Sequence, residues 1–203
     1  MVFLLACALA VSGAWVVMAG LDDTDIASST PPSNPATMPK TPTIVSLNPC
    51  TDAILAQVAD PGQLLAISSY SHDPVASSMD IAVARRFRAV SGSVEEVAAI
   101  GPQVVVASTF LDPASFGALN GLGFRVVRVP IASDIASTRK QVRELASLAG
   151  HPERGEALVA QIDEALARAA PPSGWKPVPA LVWQSGGLVA GNATLIADMM
   201  RRG

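Results

Sequence analysis

Charge is scarce in this chain, and so are cysteine, histidine and aromatic side chains. Only 15% of the 203 residues are charged and the net charge is −3, so the chain lacks the basic face that nucleic-acid binding needs. No Lys/Arg run occurs; the tightest basic groups are Arg85-Arg86 with Arg88, and Arg201-Arg202. The two histidines, His72 and His151, and the two cysteines, Cys7 and Cys50, make a poor zinc set by count. Removal of an N-terminal segment carrying Cys7 leaves Cys50 without a disulfide partner, and Cys50 is then expected as a small buried hydrophobe rather than a nucleophile. The G-x-S-x-G, His-Glu-x-x-His, Walker A and G-x-G-x-x-G patterns are all missing, which speaks against the hydrolase elbow, the zinc protease, the P-loop and the dinucleotide-binding turn. No catalytic residue, no resident metal and no cofactor is expected, and the chain does not read as an enzyme.

What the sequence does have begins with an apolar stretch. Residues 1–20 carry no charge, and about 20 apolar residues suffice to span a bilayer as a helix. Val17-x-Ala19 suits a signal-peptidase site, although the first basic residue is only Lys40. Residues 1–20 are therefore expected to be a signal peptide cleaved near Gly20, or else an uncleaved anchor. Leu4-Leu5-Ala6-Cys7 has the look of a lipoprotein cleavage box, but the apolar run continues past Cys7. Residues 21–42 hold Asp22, Asp23 and Asp25, then Pro31, Pro32, Pro35, Pro39 and Pro42. Proline at that density forbids regular helix or central strand, so this segment reads as a tether.

From Thr43 strands and helices alternate. Ile44–Leu47 is a short apolar run, and Asn48-Pro49 offers an N-cap followed by proline at the first helical position. Asp60-Pro61-Gly62 supplies turn chemistry, and Leu64–Ile67 is the next strand. Ser93-Val94-Glu95-Glu96 has the Ser-x-x-Glu form of a capping box. Val104–Ala107 is a continuous apolar run, as in a parallel strand buried on both faces. Asp112-Pro113 opens a further helix, closed by Gly121 and Gly123, and Phe124–Val129 alternates as a strand. Asp134 caps a long helical stretch to about Ala170, broken at Gly150-His151-Pro152, with His151 expected as a solvated connector. Ala180–Trp183 is expected as a strand that turns at Gly186-Gly187 toward Leu188–Ala190, before a last helix over Leu195–Met200. The expected fold class is α/β: a parallel-sheet N-terminal lobe over 43–132, a connecting helical segment over 133–170, and the beginning of a second α/β lobe over 178–203.

Open α/β sheets bind ligands outside the carboxyl ends of their strands. In this chain those ends carry Asn48-Pro49-Cys50, Ser69-Tyr70-Ser71-His72, Ser91-Gly92-Ser93 and Ser108-Thr109-Phe110. Taken singly, these residues read as helix caps; taken together, they read as a binding rim, because helix N-termini present free N–H donors. Tyr70 is the only tyrosine, either a half-buried packing residue or a flat ligand wall. His72 beside Asp73 is either a ligand to iron or cobalt or a polar loop residue. The residues expected to contact ligand are Asn48, Tyr70, Ser71, His72, Ser91 and Thr109.

On these residues the chain resembles a known family. Thr43–Asp52, Ile67–Pro74 with its tyrosine turn, Ser91–Ala107 and Leu119–Pro130, in that order, resemble the substrate-binding proteins of ABC importers for vitamin B12, iron–siderophore complexes and heme. The resemblance implies two α/β lobes joined by a rigid long helix, with ligand in the cleft between them and only modest closure. It implies an exported, periplasmic protein, either free or membrane-anchored, that is monomeric. Its partners would be an ABC permease with its ATPase and a small cobalt or iron chelate, not nucleic acid. Ser68-Ser69-Tyr70-Ser71 is most similar to the vitamin B12 binders, with Tyr70 on a corrin-contacting position. Glu95 falls on the first-lobe glutamate that docks on the permease. An enzyme or metal-cofactor assembly protein that reuses the fold, with Cys50 and His72 as its reactive pair, or a remnant that no longer binds, stand as the alternatives.

Overall fold

A computed structural model describes residues 41–202 of the chain apart from residue 78. The expected export segment and nearly all of the tether lie outside the described residues.

Five strands form one sheet: β1 (Ile44–Ser46), β2 (Leu64–Ser68), β3 (Arg88–Val90), β4 (Val104–Ser108) and β5 (Arg125–Val129), in the order β3-β2-β1-β4-β5 and parallel throughout. β1 lies at the centre, with Ile44, Val45 and Ser46 fully buried. Its register on β4 sets Ile44, Val45 and Ser46 beside Val104, Val105 and Val106. Successive strand residues point to opposite faces, and the core divides accordingly. Ile44, Ile67, Val104 and Val106 pack with Leu55, Val58, Leu145 and Ala149 on one face. Val45, Ala66, Val90 and Val105 pack with Val97 and Leu119 on the other. The apolar run Val104–Ala107 is buried because helices cover both sides of its strand.

The helices on the first face are α1 (Pro49–Val58), the short α2 (Ile81–Ala84) and α5 (Ile135–Leu148); α3 (Val94–Ile100) and α4 (Pro113–Gly121) cover the second. Their starts follow local chemistry. Asn48 accepts from the Cys50 amide at 2.8 Å, and Asp112 from the Ser115 amide at 2.9 Å, each ahead of a proline at the first helical position. Gly101 closes α3 in the left-handed region at φ 65°.

The chain runs β1→β2→β3 to one edge and then crosses back, so that β4 lies on the other side of β1. The strand order therefore reverses between β1 and β4, and the carboxyl ends of those two strands bound a crevice of the kind that doubly wound sheets use for ligands.

The helical stretch after Asp134 is two helices. α6 (Pro152–Ala169, 18 residues) turns back on α5, and Arg139–Asp163 and Arg143–Glu156 pair across them. Gly155 sits where a Cβ would lie 2.6 Å from the Ala146 Cβ, so glycine lets the two backbones close. The junction is stapled to the end of α1. Asp60 accepts from Arg154 at 2.7 Å and lies 2.8 Å from the His151 Nε2, and the Gln63 amide donates to the Ala149 carbonyl at 2.9 Å. His151 is thus not a solvated connector. It is half-buried between the Asp60 and Glu153 carboxylates.

Beyond α6 the expected strand Ala180–Trp183 is not formed. One antiparallel bridge, Trp183 with Val189, and the Gln184 amide on the Leu188 carbonyl mark the turn at Gly186-Gly187. Leu181, Trp183 and Leu188 are exposed, and two short segments with no apolar partner fall below what an independent hairpin needs. The final helix, α7 (Leu195–Arg202), starts at Thr194, whose hydroxyl accepts the Ala197 amide at 3.3 Å. No helix among the described residues is long and apolar enough to cross a membrane.

Candidate functional site

The carboxyl ends of the strands present two exposed aromatics. Tyr70 sits on a 3-10 turn (Ser69–His72) directly after β2 and is 64% exposed; Phe110 follows β4 and is 75% exposed. β2 and β4 flank β1, and parallel strands are spaced about 4.8 Å apart. The two rings thus leave the sheet roughly 10 Å apart, on either side of the end of β1, where Asn48 and Cys50 start α1. Phe110 was legible in the rim segment but was not singled out; its signal is a large apolar side chain at a strand end with no helical or strand periodicity to bury it.

Beneath this rim lies a buried polar floor that the sequence did not announce. Asp52, in the first turn of α1, is fully buried. Its Oδ2 accepts the Ser68 amide at 2.9 Å and the Ser71 hydroxyl at 2.7 Å. The Ser46 and Thr51 hydroxyls lie 2.7 Å apart beside it, and Thr51 donates to the Asn48 carbonyl at 3.0 Å. Burial pushes the Asp52 carboxyl up to about 7, against the downward pull of the Ser46 and Ser71 hydroxyls and the Ser68 and Asn48 amides.

The expected contact residues divide. Tyr70 is on the exposed rim. The Thr109 amide donates to the Val129 carbonyl at 3.1 Å, and the Thr109 carbonyl accepts from Arg128; its side chain is half-exposed. Asn48 spends its side-chain oxygen on the α1 cap. Ser71 is turned inward and buried, because its hydroxyl serves Asp52. His72 is not oriented by Asp73; its Nε2 lies 3.0 Å from the Ala84 carbonyl, tying the turn to α2. Ser91 is exposed, but its hydroxyl and amide both donate to Glu96 Oε2, at 2.5 and 2.8 Å. The Ser93 capping box is accordingly half-formed: Ser93 accepts the Glu96 amide at 3.2 Å, while the Glu96 carboxylate reaches back to Ser91. Those donors hold the Glu96 carboxyl below its ordinary value. Glu95 is exposed on the first turn of α3. Cys50, expected to be buried, is exposed, because α1 buries Thr51, Asp52, Leu55 and Val58 instead. No hydrogen bond joins Cys50 to His72 among the described residues.

Residues 44–202 match the model of the family described as periplasmic binding protein. The chain belongs to this family. Among solved structures, the periplasmic-binding-protein fold recurs in a possible iron-binding (periplasmic solute-binding) protein from Staphylococcus epidermidis, at 19% identity and TM-score 0.65, over 81% of this chain and 66% of that one. It recurs in the periplasmic heme-binding protein BhuT in complex with two hemes, at 22% identity and TM-score 0.60, over 80% and 65%. A periplasmic heme-binding protein from Pseudomonas aeruginosa matches at 20% identity and TM-score 0.53, over 63% and 45%. At these identities the likeness is one of fold, and the chain spans 45–66% of the length of these three proteins. No curated protein matches the chain.

Proposed function

We propose that this chain provides the ligand-capturing lobe of the substrate-binding component of an ABC importer. Its cargo would be a flat metal chelate: heme, cobalamin or a ferric siderophore. Residues 43–132 would form the lobe, 133–170 the connecting segment and 178–203 the start of a second lobe. The observation that carries this reading is the pair of exposed aromatics, Tyr70 and Phe110, flanking the crevice at the end of β1. Aromatic faces of that spacing suit a macrocycle or the aromatic donors of a siderophore. Tyr70, Thr109 and Phe110 would touch the ligand, while Asn48, Ser71, His72 and Ser91 would hold the rim in shape through the bonds described above. The chain would work outside the cytoplasm as a monomer and catalyse nothing, with transport driven by the importer's ATPase. Glu95, free of the core at the start of α3, would dock on the permease.

An absorbance titration of the purified chain with heme, cobalamin and a ferric siderophore tests the reading. Binding of one chelate in the micromolar range or tighter, weakened by Tyr70→Ala, is expected. Binding of none, or binding indifferent to both Tyr70→Ala and Phe110→Ala, overturns it.

A further inference from the structure

Asp52 is closed to any ligand by its burial, yet it touches the turn that presents Tyr70 at two places. The Ser68 amide, which donates to Oδ2, ends β2 immediately before the turn; the Ser71 hydroxyl, which donates to the same oxygen, follows Tyr70 directly. Ser68 also accepts the Tyr70 amide through its own hydroxyl at 3.3 Å. One carboxyl oxygen therefore grips the turn on both sides of its exposed ring. The other, Oδ1, is buried with no partner among the described residues. An orphaned buried oxygen is far costlier as part of a carboxylate than as part of a neutral acid.

We propose that Asp52 is a proton-linked positioning residue: with its carboxyl protonated the grip on the Tyr70 turn is closed, and on ionisation the carboxylate draws in water and the turn loosens. The direction follows from linkage. The closed turn raises the proton affinity of Asp52 by burying it, so loss of the proton favours the state in which the carboxyl is hydrated. No neighbouring charge is among the causes of that shift. β1 and β2 bring no titratable side chain to it; the turn adds Tyr70 and His72, and α1 adds Cys50. α5 and α6 also pack on α1, and their charges Arg139, Arg143 and Arg154 are engaged with Asp163, Glu156 and Asp60.

The chain carries one tyrosine, so ring-labelled tyrosine gives a single NMR signal, from position 70. In the full chain that signal is expected to move between two positions, with a midpoint near the value of about 7 that burial gives Asp52. Asp52→Asn keeps a carbonyl for Ser68 and Ser71 and cannot ionise, so its signal should stay at the acid position throughout. Asp52→Ala has no grip and should hold the alkaline position throughout. Histidines as a class titrate in the same window, which makes His72→Gln the control; it should keep the midpoint. A signal that does not titrate in the parent, that titrates equally in Asp52→Asn, or that stops titrating in His72→Gln overturns the proposal. Should Asp52→Ala fail to fold, the other three proteins still decide. The consequence for capture rests on the proposed function, but no ligand is added here, so the two fail separately.

Discussion

Asp198, in the last helix, accepts the amide hydrogen of Ile135 at 3.0 Å, across 63 residues of chain. Ile135 is the first residue of α5, so a carboxylate from α7 satisfies one of the N–H groups that a helix start leaves unpaired, and it sits at the positive end of that helix. Arg202 holds the same oxygen at 3.0 Å. The Ile135 amide and the two arginines keep the Asp198 carboxyl below its ordinary value. A carboxyl depressed by folding stabilises above its unfolded value and loses that contribution as pH falls through the folded one. Asp198→Asn should therefore lower the thermal midpoint at neutral pH, and the gap to the parent should close in acid. A gap that persists in acid would mean that the link is not electrostatic.

Asp52 runs the other way. Its carboxyl is raised to about 7 in the folded chain, so its contribution is present below the unfolded value and is lost as pH rises through neutrality. Urea unfolding should show the parent losing on the order of a few kcal/mol between mildly acid and mildly alkaline pH, relative to Asp52→Asn. Parallel curves for the two proteins would contradict the burial described here.

Gly155→Ala should destabilise by about 1–3 kcal/mol, because the new methyl would meet Ala146 where α5 and α6 cross. Gly121→Ala is the matched control. It lies at the end of α4 with nothing within 4 Å of an added Cβ and should be neutral or gain a few tenths of a kcal/mol. Thermal melts of the two variants side by side decide the matter; equal effects would mean that the helix crossing is looser than described.

Tyr70→Ala and Phe110→Ala should leave stability within about 0.5 kcal/mol, since both rings are mostly in water. Each should weaken chelate binding by about 0.5–1.5 kcal/mol beyond the area lost. Calorimetric titration with whichever chelate binds the parent measures this. A large drop in melting temperature in either variant would place the ring in the core instead.

Glu95→Ala should leave folding and chelate binding unchanged while slowing association with a permease, as exposed rim charges do. Glu96→Ala should behave differently, because its carboxylate ties Ser91 to α3. Surface plasmon resonance against the purified permease separates the two; equal kinetics for Glu95→Ala and the parent would remove Glu95 from the docking face.

The parts of the fold that local rules decide were legible. Asn48-Pro49, Asp112-Pro113 and Asp134 start helices because a side-chain oxygen can reach an amide two or three residues on. Val104–Ala107 is a buried strand because nothing in it wants water. What remained hidden depends on partners distant in sequence. Asp52 looks like an ordinary first-turn acid until β2 delivers Ser68, 16 residues later. His151 looks solvated until Asp60, 91 residues earlier, is folded against it. Ala180–Trp183 misleads in the opposite sense: its residue types favour a strand, but a strand exists only where another accepts its hydrogen bonds, and only Val189 does so here. At the rim the sequence located the edge and its aromatic, but it assigned to ligand several hydroxyls that the protein spends on itself.

The turn at Gly150 makes α6 a lever with a fixed fulcrum. Its first turn is clamped by Asp60 and by the Gly155–Ala146 crossing, while Ala165–Ala169 at its far end are in solvent. Eighteen helical residues reach about 27 Å. A tilt of roughly 5° at the clamp would therefore carry whatever follows Ala169 through about 2 Å, with no backbone torsion changing by much. Motion of that size is gained by elastic give at two contacts rather than by a hinge, so its amplitude is set by how hard one arginine holds one aspartate.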